Sequence, residues 1–158
     1  SIRAVASRCS VSAGTIYNYY ESKADLLGDT IESIWREIFF NPEDEQAFND
    51  VAACISWIYK RLEYGNEQFP GFFSLHSLGF MKDEKMDGKK KMLQTWGHIL
   101  NGLCDILKND PKIRPDVFDE QFTEKQFADI LFSLILVSMI RQDYNPSSIL
   151  MLINKTLY

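Results

Sequence analysis

One short segment near the N-terminus, VSAGTIYN at residues 11–18, contains side chains that can bind DNA. Thr15 can hydrogen-bond a base edge or a phosphate, and its methyl group can contact a thymine methyl. Tyr17 and Asn18 suit phosphate oxygens, which fix the register of a protein on the duplex but carry no sequence information. Gly14 has no side chain and would let the backbone approach DNA closely. These residue types indicate a nucleic-acid interface.

The neighbouring residues predict that this segment is the second helix of a helix-turn-helix. Apolar residues have the spacing of two short helices that meet across a tight turn at residues 9 and 10, namely Val5, Ala6, Val11 and Ile16. Ser12 is a suitable N-cap for the second helix. In this motif the second helix enters the major groove, and its N-terminal part faces the bases. We therefore expect DNA contacts from Ser12, Ala13, Gly14, Thr15, Tyr17, Asn18, Lys23 and Arg3.

The stretch VSAGTIYNYYESKADLL, residues 11–27, resembles the recognition helix of the TetR (tetracycline repressor) family of bacterial transcription regulators, together with the start of the helix that follows it. The family pattern runs roughly V-S-x-G-T-[LI]-Y-x-[YH]-F-x-[SN]-K-x-x-L. The matching residues are Val11, Ser12, Gly14, Thr15, Ile16, Tyr17, Tyr19, Ser22, Lys23 and Leu26. The resemblance implies a ligand-responsive homodimeric repressor that binds an operator in double-stranded DNA. It also implies a DNA-binding domain at residues 1–25, with its first helix missing upstream of Ser1, and a ligand-binding and dimerisation domain at residues 26–158.

Three positions depart from the family pattern. Ser10 stands in the turn where family members usually have glycine, and a positive φ at a serine would be strained. Tyr20 replaces the usual phenylalanine and brings a hydroxyl to the edge of the core. Ala13 stands where a basic residue is common, so one DNA contact is lost. We expect a modest affinity for DNA.

The rest of the chain reads as helical. Glycine (8) and proline (5) are scarce and lie between segments whose apolar residues repeat with a helical period. Helices are predicted at residues 1–9, 12–19, 22–40, about 43–64, 82–107, 123–142 and 146–157. Asn41-Pro42 is expected to end the third helix, and Gly65-Asn66 the fourth. Ser22 and Asn145 are predicted caps, with Pro146 at the first helical position. The predicted fold is all-α, an N-terminal helix-turn-helix followed by a helical bundle.

In the TetR family the last two helices form a dimeric four-helix bundle, which here implies a homodimer through residues 123–142 and 146–157. The first of these helices is apolar on more than one face, so either the core or a second copy must cover it. The resemblance also implies an effector site, and apolar walls with a few polar groups suit a largely apolar small molecule. The candidate residues, each of which is also readable as core, are Trp57, Phe72, Phe73, His76, Phe80, Met92, Trp96 and Cys104.

Composition excludes several classes of protein. Arg3, Arg8 and Lys23 against Glu21 give residues 1–23 a charge of +2, so the rest carries −7 of the total of −5. Three widely spaced cysteines argue against a disulfide framework or a zinc site and suit the cytoplasm. The longest apolar stretch, residues 130–140, is too short to span a membrane. We find no enzyme signature and predict no catalytic residue, metal or cofactor. Two alternatives stay open: a co-regulator acting through protein contacts, and a helical small-molecule-binding protein.

Overall fold

The computed structural model describes residues 1–39, 48–73 and 86–158, including all of their side chains except those of residues 86–95. Every regular element in these ranges is a helix, so the all-α prediction is confirmed. In chain order the helices are α1 (Ile2–Arg8), α2 (Ala13–Tyr17), α3 (Lys23–Phe39), α4 (Val51–Gln68), α5 (Met86–Asn109), α6 (Glu124–Arg141) and α7 (Ser147–Thr156). None of them is long and apolar enough to cross a membrane.

The chain forms two compact units, Ser1–Phe40 and Asn41–Tyr158. The first unit contains α1 to α3, and the second contains α4 to α7. This grouping keeps the whole of α3 with the N-terminal helices. The boundary after residue 25, between a DNA-binding domain and a ligand-binding and dimerisation domain, stays a prediction.

The N-terminal unit uses serine hydroxyls to start its helices. The backbone N–H of Ala4 donates to Ser1 Oγ (3.3 Å) at the start of α1. At the start of α3, Ser22 Oγ accepts from the backbone N–H of Asp25 (3.2 Å) and donates to the Asp25 carboxylate (2.9 Å). The hydroxyls of Ser1 and Ser22 each accept from a backbone N–H that helix geometry leaves without a partner. The predicted cap at Ser22 is therefore confirmed.

Helix α4 differs at both ends from its prediction. Asp50 is extended, with φ −151° and ψ 166°, and its carboxylate accepts from the backbone N–H of Ala53 (2.7 Å). The helix therefore begins at Val51, and the part of the predicted start that falls on residues 48–50 is wrong. Gly65 does not end the helix, which continues to Gln68. A glycine inside a helix costs only about 1 kcal/mol relative to alanine, and the buried face of α4 offsets that cost. The predicted break at residues 41 and 42 lies outside the described residues.

The observed starts of helices α6 and α7 agree with the predicted starts to within one residue. A capping box at Thr123 and Gln126 opens α6. Pro146, not Asn145, is the N-cap of α7, which corrects the prediction by one residue, although Asn145 Oδ1 still accepts from the backbone N–H of Ser147 (3.0 Å). In the body, α5 packs on α6 and α4 packs on α7. A hydrogen bond between the hydroxyls of Tyr59 and Ser138 (2.7 Å) also joins α4 to α6.

A buried carboxylate holds one end of the body together. Asp110 lies just after α5 and is 7% exposed. It accepts three hydrogen bonds, from the backbone N–H of Val51 (2.9 Å), the backbone N–H of Lys112 (2.9 Å) and the hydroxyl of Tyr158 (2.6 Å). Beside it, Lys112 Nζ forms an ion pair with Asp50 (2.5 Å), which lowers the pKa of that carboxyl. Asp110 therefore connects the start of α4, the α5–α6 connection and Tyr158, which lies beyond the end of α7.

Candidate nucleic-acid interface

The turn between α1 and α2 has a well-defined hydrogen-bond pattern. The backbone N–H of Ser10 donates to the carbonyl of Ser7 (3.3 Å), and that of Val11 donates to the carbonyl of Ala6 (3.0 Å). These two bonds form a Schellman motif, which places the residue after the cap in the left-handed region. That residue is Ser10, with φ 55°. The positive φ expected at this departure from the family pattern is therefore present, and it is strained because the residue has a Cβ.

Replacing Ser10 by glycine is expected to stabilise the N-terminal unit by about 0.5–1 kcal/mol, because glycine adopts a positive φ without a steric penalty. The slowest-exchanging amides of α1 and α2 should show this gain in hydrogen exchange. Ser7→Gly is the matched control, since Ser7 lies inside α1, where glycine weakens a helix. A loss of protection in Ser10→Gly would contradict the assigned turn.

Helix α2 is fixed at its start by two hydroxyl groups. Ser12 Oγ accepts from the backbone N–H of Thr15 (3.0 Å), so the predicted cap is present. The same oxygen lies 2.9 Å from Thr15 Oγ1, and the two hydroxyls share a hydrogen bond. A hydroxyl group has one donor and two acceptor sites, so Thr15 keeps capacity for a further partner. The hydrogen bond to Ser12 fixes the orientation of the Thr15 hydroxyl, so that its remaining site points in a defined direction.

The second helix presents an outward face of polar and aromatic side chains. Tyr17 is 56% exposed and Tyr19 is 80% exposed, whereas Ile16 is half-buried. Both tyrosines therefore lie outside the core of the N-terminal unit. The exposed residues of this face are Ser12, Gly14, Thr15, Tyr17, Asn18 and Tyr19, while Ala13 is half-buried. Tyr19 was not among the predicted DNA contacts. It lies beyond the end of α2, where helical periodicity no longer predicts direction.

Gly14 is not required by the packing of this protein. A Cβ built at Gly14 would lie 3.6 Å from Ser12 Oγ, an ordinary van der Waals contact, with no closer neighbour. Its φ is not in the positive range that favours glycine. The fold itself therefore gives no reason for glycine here. Close approach of DNA to the backbone at Gly14 stays a prediction.

Basic groups of the N-terminal unit can bind phosphates. Arg3 on α1 and Lys23 at the first position of α3 are exposed, as is Arg8 at the end of α1. None of the three forms a salt bridge with another described residue, so their charges are available to DNA. All eight predicted DNA contacts lie in the N-terminal unit, and their contacts with DNA stay predictions.

The structure brings only part of the predicted effector site together. Phe72 and Phe73 are buried, with ring centroids 5.6 Å apart. Trp96 packs edge-on against Phe132, with ring centroids 5.6 Å apart. Trp57 packs edge-on against Phe48 instead. Cys104 is half-buried. The predictions at His76 and Phe80 lie outside the described residues, and Met92 lies in α5 with its side chain not described. This set of eight residues stays a prediction.

Comparison with known proteins agrees with the N-terminal geometry. Residues 1–30 match the family described as "Bacterial regulatory proteins, tetR family". The match covers α1, α2 and the start of α3. Comparisons with curated proteins and with solved structures gave no significant match. The resemblance seen at residues 11–27 is thereby confirmed, and the first two helices are those of a helix-turn-helix.

Proposed function

We propose that this chain, a DNA-binding transcriptional regulator of the TetR family by its residues 1–30, is a homodimeric repressor that releases its operator when a small molecule binds the helical body. The observation that carries the proposal is the face of α2, where Gly14 and exposed hydroxyl, amide and phenol groups lie together. Side chains of these types suit base edges and phosphates. The chain would act in the cytoplasm, where bacterial DNA lies, without catalytic turnover or a cofactor.

The proposed dimer is supported by an exposed apolar face on the last two helices. This face, which we call the α6–α7 stripe, consists of Ile130, Leu134, Val137, Ile140, Met151 and Leu152, which are 37–59% exposed. The α6 residues recur at helical spacing, so they form one surface. Apolar side chains exposed in this way are unfavourable in water and mark an interaction site. A second copy related by a two-fold axis can cover it with the same surface.

The proposed response to an effector follows from dimer geometry. Two copies of α2 must enter successive major grooves, whose half-sites lie ~34–36 Å apart. A ligand that binds better to a state with a different separation of the two helices shifts the protein away from DNA. An apolar small molecule is the expected effector, since the predicted lining residues Phe72 and Phe73 are aromatic and pack together in the body.

Selection of binding sites from random duplex DNA, with the full chain, tests the DNA-binding part of this proposal. We expect a near-palindromic sequence with two half-sites, and loss of its affinity in Tyr17→Ala. The logarithm of the affinity should fall linearly with the logarithm of the salt concentration, with a slope no steeper than roughly −5. This limit follows because each protomer offers three cations and each phosphate contact contributes about −0.9 to the slope. If no sequence is enriched, the face of α2 serves protein docking, and the co-regulator alternative replaces the repressor.

Gly14→Ala separates DNA binding from folding. Alanine favours a helix over glycine by about 1 kcal/mol and fits the free protein, so thermal stability should be equal or higher. Affinity for the selected operator should fall by at least roughly tenfold, a change of about 1.4 kcal/mol, because the added methyl group separates the backbone from DNA. Gly102→Ala on α5 is the matched control, since a Cβ there meets nothing within 4 Å and the free protein accommodates both substitutions. Equal operator affinities for the two variants would contradict the assigned contact.

A further inference from the structure

Tyr144 lies in the connection between α6 and α7, and its hydroxyl is buried without a hydrogen-bond partner among the residues that the structure describes. The residue as a whole is half-buried, so its polar end points inwards. A buried hydroxyl without a partner is costly, because it has exchanged its hydrogen bonds with water for none in the protein. The great majority of buried polar side-chain atoms in proteins do have a partner.

Two other tyrosines of the body have a hydrogen-bond partner for their hydroxyl group. The hydroxyl of Tyr59 is paired with Ser138 (2.7 Å), and that of Tyr158 donates to Asp110 (2.6 Å). Both bonds join segments far apart in the chain. Tyr144 therefore differs from Tyr59 and Tyr158 in that its hydroxyl has no partner in the part of the chain that the structure describes.

The backbone before Tyr144 adopts a strained conformation that leads into this position. Gln142 has φ 54°, and the backbone N–H of Asp143 donates to the carbonyl of Ser138 (3.1 Å). A residue with a Cβ is unfavourable at that φ, and such strain is found more often at functional sites. The chain then places the ring of Tyr144 6.3 Å from that of Phe73, which in turn contacts Phe72. The unpartnered hydroxyl thus belongs to a ring that packs on the aromatic residues of the predicted effector site.

We propose that Tyr144 is the polar anchor of the effector site and donates a hydrogen bond to a carbonyl oxygen of a neutral aromatic ligand beside Phe73. This assignment rests on the proposed function, in which the body binds a small molecule.

The protonation of Tyr144 agrees with a donor role and a neutral ligand. Burial raises the pKa of Tyr144 above its ordinary value of 10.0, so the phenol keeps its proton at neutral pH. No neighbouring charge contributes to that shift. A charged ligand group beside this hydroxyl would find no counter-charge acting there among the described residues, and burying an unpaired charge is strongly unfavourable. A carbonyl oxygen needs only the donor that Tyr144 offers.

Acetophenone and α-methylstyrene test the assignment, because they have the same shape but only the first has a carbonyl oxygen. Their affinities are measured by calorimetry on the full chain. The wild-type protein should bind acetophenone roughly tenfold more tightly. Tyr144→Phe keeps the ring and should bind the two probes equally. Tyr64→Phe is the matched control, a half-buried tyrosine of α4 that lies beneath Arg61, and it should keep the preference.

Three results would overturn the assignment. They are equal binding of both probes by the wild type, binding of neither, and a preference that persists in Tyr144→Phe. The last would mean that a group other than the Tyr144 hydroxyl binds the carbonyl oxygen. DNA selection on the same preparations keeps the two proposals apart. An enriched operator without probe discrimination leaves the regulator intact and removes only the role of Tyr144. Probe discrimination without an enriched operator would support the role of Tyr144 and contradict the proposed DNA binding.

Discussion

Leu134→Glu is expected to convert the protein from a dimer to a monomer. Leu134 is 37% exposed and lies within the α6–α7 stripe. In an interface with two-fold symmetry each substitution occurs twice, so two carboxylates would be buried on the same apolar surface. Burying an unpaired charge is strongly unfavourable, and we expect the dissociation constant of the dimer to rise at least about 1000-fold, or about 4 kcal/mol. Sedimentation velocity over a range of protein concentrations measures this change directly.

The matched control for Leu134→Glu is Leu27→Glu. Leu27 is a leucine of α3 that is 49% exposed and lies outside the stripe. The exchange adds the same charge at a similarly exposed position, so any general effect of charge on solubility is shared. Only the substitution on α6 should change the molecular mass in solution. A dimer that persists in Leu134→Glu would show that the stripe is covered by something other than a second copy.

Asp110→Ala is expected to lower the free energy of unfolding of the body by about 3 kcal/mol. The substitution leaves the backbone N–H of Val51 and the hydroxyl of Tyr158 without their acceptor. Each buried donor that loses its partner costs about 1–3 kcal/mol. Urea denaturation followed by tryptophan fluorescence measures the loss.

Two further variants define the origin of that loss. Asp116→Ala removes an exposed carboxylate from the same connection and should change stability by less than about 0.5 kcal/mol. Tyr158→Phe removes one of the donors and should cost about 1 kcal/mol. If Asp110→Ala were no more harmful than Asp116→Ala, the three hydrogen bonds would contribute little to folding.

Local sequence patterns predicted the features that depend on near neighbours. The recognition segment was identified because its residues act within one turn and one short helix. The caps at Ser12 and Ser22 were predicted for the same reason, since each hydroxyl contacts a group three residues away. Even the strain at Ser10 followed from a single unusual residue in a known turn.

Features that depend on distant contacts were not predictable. Asp110 accepts from groups 59 and 48 residues away, and no local pattern marks it as a buried carboxylate. Gly65 was read as the end of a helix because burial, which keeps it helical, depends on tertiary packing. Tyr144 was missed because its importance lies in the lack of a partner, which only a folded structure can show.

The short length of α2 has a consequence for how DNA affinity can vary. A helix of five residues is far too short to persist in water by itself. Its order therefore depends on α1 and on the strained turn at Ser10. If a fraction of the molecules has this helix unwound, the apparent dissociation constant for DNA rises in inverse proportion to the folded fraction. Changes at Ser10 can then tune repression in small steps, without altering any atom that reads the operator.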